Sequence, residues 1–320
     1  MADLGVAYFF KGVTGPGPLV EYAGRLEDTG LSHLFVTEAY NDAMTLLAAL
    51  AVETERLTLG SGIVNIYARH PYQLANETAV VQQLSDGRFI LGLGTGHQEV
   101  NVDGWGMDMS KPLSRMRDYL ATVRRALDSD GGPLDIRTER YRITGPAVAW
   151  APPQRVPIYL AALGPKMFEL AGQAADGVIL SMAPIPYIRR MRKLLDDTAR
   201  ANGRDPGAIK IYAFVNTLLR PTREEAIPLL HYSIKSYYRF PYYRYQLKVA
   251  GVELGPGGVT DAALDSLAIG GPPEYARDRL DEYRDAGVDV PILAPIGTLP
   301  RPAPVDPDLF ATFDGLAALA

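Results

Sequence analysis

The sequence has 320 residues, of which 47% are hydrophobic, 22% charged and 9% aromatic, and its net charge is −5. These fractions exclude disordered, collagen-like and low-complexity classes, and an acidic chain without a basic stripe is a poor match for a nucleic-acid backbone. The chain has no cysteine, which excludes disulfides, thiolate metal sites and a cysteine nucleophile. It shows neither a signal-peptide pattern nor an apolar run of membrane-spanning length, so we expect a soluble cytoplasmic protein without nucleic-acid or membrane partners.

Short β-branched or aromatic runs alternate with longer helical patterns along the whole chain. The predicted strands are Leu4–Phe10, His33–Thr37, Leu57–Val64, Arg88–Leu93, Val156–Ala161, Gly177–Ser181, Ile209–Leu218 and a weaker Val290–Ala294. The predicted helices are Val20–Thr29, Ala43–Glu53, Tyr72–Leu84, Pro112–Leu127, Pro165–Ala175 and Tyr187–Ala201. Each crossover helix returns the chain to form a parallel strand. The pattern favours one (β/α)8 TIM barrel domain over residues 1–320, and a doubly wound open sheet is the alternative.

Three stretches do not fit this repeat of strand and helix. Thr95–Lys111 follows the fourth predicted strand, Asp130–Pro157 follows its helix, and Thr222–Gly270 follows the seventh strand. Alternation within Asp135–Thr144 predicts a hairpin in the second stretch. The third is a helical, tyrosine-rich insertion at 222–270, whose aromatic side chains either pack onto the barrel or a partner subunit, or wall an apolar pocket above a cofactor.

Several familiar motif classes are rejected. The glycine cluster Gly92–His97 is not G-x-G-x-x-G, because the sixth position is His97, and it lies in mid-chain; a tight strand exit explains it. The four histidines are scattered without metal-ligand spacing, so no metal site is predicted. No G-x-S-x-G sequence indicates a serine nucleophile.

Two ionisable residues follow predicted strands at the end of the barrel where such enzymes carry their chemistry. His97 lies just past the fourth strand and titrates near neutrality, so it is a candidate proton donor or acceptor; the alternative is a histidine on a surface loop. Glu38 follows the second strand, where burial would raise its pKa and make it a second catalytic candidate. The alternative for Glu38 is a carboxylate that a helix N-terminus stabilises.

The segment Ala162-Leu163-Gly164-Pro165-Lys166 precedes a predicted helix. Pro165 suits the first helical turn, and Gly164 allows a ligand to approach the backbone closely. Exposed N–H groups at a helix N-terminus bind anions, and Lys166 can add a positive charge. The segment is therefore either a phosphate-binding turn or an ordinary helix start.

Taken together, the segments Thr54–Asn65, Arg69–Pro71, Leu84–Gly96, Tyr159–Met167 and Ala175–Gly177 resemble the luciferase-like flavin and deazaflavin oxidoreductases, and most closely the branch that uses coenzyme F420. The resemblance implies a non-prolyl cis peptide at Gly62–Ile63 that supports the deazaflavin ring. It further implies that Asn65 and Thr95 lie around the ring, that Ala162–Lys166 binds the phosphate, and that Glu38 is an acidic position beside the ring. A homodimer is expected from the resemblance alone.

The resemblance also limits the reaction. Sugar-phosphate dehydrogenases of this family have Asp-His after strand two and Glu after strand four, whereas this chain has Glu38-Ala39 and His97, which argues against sugar oxidation by that machinery. We therefore expect an F420-dependent oxidoreductase that transfers a hydride between the deazaflavin and a small organic substrate contacted by Tyr40, Tyr237 and Tyr242. An FMN-dependent monooxygenase that uses O2 and a non-catalytic flavin-binding homologue are the alternatives.

Overall fold

The computed structural model describes residues 3–8, 15–38, 41–129, 131–235, 237, 240–255, 258–296 and 313–320. Its strands are β1 (Gly5–Tyr8), β2 (His33–Val36), β3 (Thr58–Ser61), β4 (Val64–Asn65), β5 (Phe89–Gly94), β6 (Leu134–Arg137), β7 (Arg142–Gly145), β8 (Ile158–Ala161), β9 (Gly177–Ser181), β10 (Lys210–Leu219), β11 (Ala268–Gly271) and β12 (Val290–Pro295). Its helices are α1 (Gly17–Leu26), α2 (Ala43–Glu53), α3 (Pro71–Leu84), α4 (Pro112–Leu127), α5 (Pro165–Ala174), α6 (Ile185–Ala201), α7 (Arg223–Ile234), α8 (Pro241–Val249), α9 (Asp261–Asp265) and α10 (Pro273–Asp285).

Eight parallel strands close into a barrel in the order β1, β2, β3, β5, β8, β9, β10 and β12, and β12 pairs again with β1. The predicted (β/α)8 barrel is therefore confirmed, and the open-sheet alternative is wrong. The short β4 pairs with the end of β5, beyond the end of β3, and β11 pairs with the last residues of β10. Both additions lie at the carboxyl ends of the barrel strands.

The barrel interior is filled by side chains from most of its strands. This interior cluster consists of Ala7, Phe35, Ile90, Tyr159, Ile179, Tyr212, Phe214, Val290 and Ile292. The barrel is thus a packed core rather than a pore, and the carboxyl ends of its strands are where barrel enzymes bind their ligands. The outer faces of the strands pack against the helices in a second, larger core.

Local sequence sets where the helices near the barrel mouth begin. The side chain of Asp42 accepts a hydrogen bond from the backbone N–H of Thr45, 3.1 Å away, and so caps α2. His70 caps α3 through Nδ1, which accepts from the N–H of Tyr72 at 3.3 Å, and Pro71 occupies the first helical position. His70 therefore has the capping role that its position before a proline suggests.

The insertions take the forms that the sequence predicts. Strands β6 and β7 pair as an antiparallel hairpin over Leu134–Gly145. The stretch 222–270 contains α7, α8 and α9, and its apolar side chains form a cluster with Met182, Leu218 and Ile296, at the carboxyl ends of β9, β10 and β12. The insertion thus covers one side of the barrel mouth. Within the described residues, no helix is long and apolar enough to span a membrane.

Candidate active site at the barrel mouth

The segment after β3 forms an apolar shelf, which we define as Gly62 and Ile63. The peptide bond between these two residues is cis, as the resemblance implies. Ile63 is partly exposed and packs on the interior cluster from above. A Cβ atom at Gly62 would lie 2.3 Å from the ring of Phe214, and one at Gly94 would lie 2.4 Å from Cγ1 of Ile63. Glycine is therefore needed at both positions for the shelf to pack this closely.

A buried amide network holds the rim of the mouth beside the shelf. Nδ2 of Asn65 donates to Oδ1 of Asn101 at 2.7 Å, and Nδ2 of Asn101 donates to the carbonyl oxygen of Thr95 at 2.6 Å. Asn101 lies in a π-helical turn, Glu99–Gly104, that begins just after His97. Asn65 and Thr95 are thereby linked through Asn101 at the end of β5.

Glu38 is held by two partners. Its Oε1 pairs with the guanidinium of Arg69, and its Oε2 accepts from the backbone N–H of Asn65 at 3.2 Å. Arg69 also contacts Asp42 at 3.0 Å and Glu77 at 3.2 Å. Burial raises the pKa of Glu38, although Arg69 and the Asn65 N–H oppose the shift. Because both carboxylate oxygens are engaged, Glu38 fixes the segment that carries Asn65.

The N-terminus of α5 faces open space. Gly164 precedes the helix without a side-chain cap, Pro165 is its first residue, and an added Cβ at Gly164 would meet no atom within 4 Å. The exposed Lys166 lies in the first turn. This end of α5 follows β8 and is on the same end of the barrel as the shelf, so its N–H groups and the helix dipole are available to an anion.

His97 and the insertion meet through aromatic rings. The imidazole of His97 stacks on the ring of Phe240, with centroids 4.5 Å apart and planes 13° apart, and lies 6.2 Å from the ring of Tyr243. Tyr243 is buried and hydrogen bonded to Ser181, the last residue of β9. Burial raises the pKa of Tyr243, so its phenol stays protonated. An aromatic wall formed by His97, Phe240 and Tyr243 therefore stands over the mouth.

Comparisons with known proteins agree with this geometry. The family model described as luciferase-like monooxygenase matches residues 9–290. The chain belongs to this family. Among its relatives, the 5,10-methylenetetrahydromethanopterin reductase of Methanolobus tindarius is 28% identical over 290 residues, which are 84% of this chain and 87% of the relative. The F420-dependent glucose-6-phosphate dehydrogenase of Amycolatopsis mediterranei is 31% identical over 180 residues, 52% of this chain and 53% of the relative.

One solved structure shows how far the fold is shared. The coenzyme F420-dependent tetrahydromethanopterin reductase from Methanopyrus kandleri superposes with a TM-score of 0.82, covering 99% of this chain and 98% of that chain. Its sequence identity is 21%, so the superposition supports the luciferase-like barrel fold and no finer assignment.

Of the three tyrosines expected to contact a substrate in this luciferase-like protein, the structure describes two. Tyr237 is half-buried, and its ring lies 5.7 Å from that of Tyr243. Tyr242 is 58% exposed, and its neighbour Tyr243 is the residue that reaches His97. Tyr40 lies outside the described residues. Sequence reasoning missed Tyr243 at this site, although its spacing from Leu247 and Ala250 on one helix face is the pattern of a buried residue.

Three further residues of the site were not predicted. Arg69 anchors Glu38, Asn101 links the two residues expected beside the ring, and Phe240 stacks on His97. The arginine was visible only as part of a family motif. Nothing in the local sequence pattern indicates the contacts of Asn101 or Phe240.

Proposed function

We propose that this protein is a coenzyme F420-dependent oxidoreductase that transfers a hydride between the deazaflavin and a small organic substrate, acting as a reductase of a C=O, C=C or C=N bond. The observation that carries the proposal is that the apolar shelf and the open N-terminus of α5 lie at the same end of the barrel. Two relatives that are named as F420-dependent, and that match 64% and 52% of this chain, support it. A homodimer and a small-molecule substrate are proposed on the resemblance alone.

The residues at the mouth fit a deazaflavin with a phosphate-bearing side chain. Ile63 offers a flat apolar support, and Asn65 and Thr95 lie at the rim beside it. The turn that ends at Lys166 offers N–H groups and a positive charge to the phosphate. When bound there, coenzyme F420 supplies hydride chemistry, and the protein supplies binding, orientation and proton transfer.

His97 is the residue that we propose for proton transfer at the substrate heteroatom. An imidazole side chain can both donate and accept a proton, and stacking on Phe240 fixes the plane of the His97 ring. Reduction of a C=O or C=N bond adds a hydride to carbon and a proton to the heteroatom, so one proton donor completes the reaction. We assign Glu38 a positioning role, because Arg69 and the Asn65 N–H engage both of its carboxylate oxygens.

An FMN-dependent monooxygenase would use the same shelf and the same phosphate turn. We therefore test the proposal by titrating the apoprotein separately with coenzyme F420 and FMN, following ligand fluorescence. Tight binding of F420 alone is the expected result. Preference for FMN would move the assignment to oxygen-dependent chemistry, and binding of neither would refute the cofactor site.

Two variants make this titration specific. Lys166→Met should weaken F420 binding, whereas Lys193→Met, at an exposed lysine of α6 paired with Asp197, should not.

His97→Asn should leave F420 binding unchanged and lower turnover at least about tenfold with any acceptor reduced by the wild type. Unchanged turnover would remove His97 from the mechanism.

A further inference from the structure

A cleft that is open to solvent lies at the amino end of the barrel, away from the mouth. It has a volume of about 400 Å³ and is bounded by the second half of α6, the turn before β10, and the turn between α10 and β12. Its charged lining residues are the cations Arg192, Arg200, Lys210 and Arg284 and the carboxylates Asp196 and Asp289. The cleft thus has two more cations than acids, in a chain whose net charge is −5.

Both carboxylates of the cleft are already engaged. Asp196 pairs with Arg192, which lies four residues earlier on α6. Asp289 accepts a hydrogen bond from the backbone N–H of Ile211 at 2.8 Å and pairs with Lys210 at 3.1 Å. Each acid therefore offsets one of the four cations, and the charge of the other two is not offset by the walls of the cleft.

These two remaining cations, Arg200 and Arg284, have acid partners that lie outside the cleft. Arg200 contacts Asp197 at 3.3 Å, and Arg284 contacts Asp281 at 2.9 Å. The Nε atom of Arg284 is also a buried donor without a hydrogen-bond partner. Such an atom does not define a site by itself, because Arg279 on the same helix has one too and does not line the cleft. Arg284 combines an unsatisfied donor with open space beside it.

We infer that this cleft binds a small molecule that carries a phosphate group. Arginine and lysine side chains only donate hydrogen bonds, so the partner that they lack is an acceptor. A phosphate monoester carries a charge of about −1.5 to −2 at pH 7, which matches the excess of two cations, whereas a carboxylate carries a single charge.

The size and the lining of the cleft fit an ester better than a free phosphate ion. Small-molecule sites usually have volumes of about 300–1,000 Å³, and this cleft lies within that range. Pro206, Ile209 and Val288 add apolar surface on which the organic part of the ester can pack. The cleft is at the opposite end of the barrel from the shelf, so the inference does not depend on the cofactor proposed above.

The test uses phenyl phosphate, which joins a phosphate monoester to an apolar ring. Its binding to the full-length protein is measured by isothermal titration calorimetry at constant ionic strength, beside inorganic phosphate and benzoate. We expect phenyl phosphate to bind several-fold more tightly than either of the others. Equal affinity for inorganic phosphate, tighter binding of benzoate, or binding of none of the three would overturn the inference.

Variants locate the binding. Arg284→Met should weaken phenyl phosphate binding at least about tenfold, which corresponds to one charge-assisted hydrogen bond, and Arg200→Met should weaken it several-fold. Arg279→Met is the matched control, because this arginine of α10 also has an unpaired Nε and an acid partner, Glu282, three residues away. Arg279→Met and Lys166→Met should both leave binding unchanged. Binding that survives in Arg284→Met and Arg200→Met, or that is lost in Lys166→Met, would overturn the inference.

Discussion

Stability should fall in mild acid because of one buried histidine at the floor of the barrel. His33 is 6% exposed, and burial lowers its pKa from 6.5 to about 4, with Asp3 opposing the shift. Its Nδ1 lies 2.7 Å from Oγ of Ser32, and its Nε2 lies 3.1 Å from the hydroxyl of Tyr212. The Ser32 hydroxyl donates to the carbonyl oxygen of Leu4, so it accepts from Nδ1–H, and Nε2 accepts from Tyr212. The neutral ring is thus fully paired.

The sign and the size of the effect follow from proton linkage. Between pH 6.5 and about 4, the unfolded chain binds a proton at His33 that the folded protein does not, so acid favours unfolding. The contribution is fully present above pH 6.5 and is lost as the pH falls towards 4. The complete loss is about 3 kcal/mol, and about 2 kcal/mol of it has occurred at pH 5. The raised pKa values of Glu38 and Glu77 act in the opposite direction, so the effect has to be read from variants.

Urea unfolding at pH 7 and pH 5 measures the difference. His33→Gln keeps a neutral side chain that can donate and accept, and it should lose about 2 kcal/mol less than the wild type between the two pH values. His70→Asn, an exposed N-cap replaced by another capping residue, should follow the wild type. The same pH dependence in His33→Gln and in the wild type would refute the reasoning.

Three further substitutions test the mouth of the barrel. Arg69→Met leaves Glu38 buried without its cation and should destabilise the protein by about 3 kcal/mol in urea unfolding, whereas a loss below 1 kcal/mol would show the ion pair to be dispensable. Phe240→Ala removes the ring that stacks on His97 and should lower turnover with F420 affinity unchanged; a parallel loss of affinity would contradict a role limited to His97. Gly94→Ala pushes a Cβ against the shelf and should weaken F420 binding several-fold, which the fluorescence titration measures.

The barrel could be predicted because its signals are local. The predicted bounds of α2, α4 and β9 match the structure to the residue. Asp42 caps α2, and Pro112 occupies the first turn of α4. The residues next to each helix start therefore indicate where the helix begins. The third predicted strand ran through to Val64, whereas the structure divides it into β3 and β4 around the cis peptide. A run of apolar residues carries no signal for such an interruption.

The site was less predictable because its contacts join distant segments. Arg69 and Glu38 are 31 residues apart, and neither shows in its own surroundings that it pairs with the other. Tyr243 was not singled out from the sequence, although in a helix that begins at Pro241 it shares a face with the apolar Leu247, whereas Tyr242 does not.

The two sides of the mouth differ in how much change they tolerate. The proposed cofactor side consists of backbone features: the shelf packs only with glycine at 62 and 94, and the α5 turn offers its own N–H groups. The opposite side consists of side chains on one inserted segment, whose apolar cluster is separate from the barrel interior. Substitutions at Tyr243 should therefore leave the packing of the barrel strands and the shelf unchanged. A change of substrate within this family should accordingly arise from the insertion first.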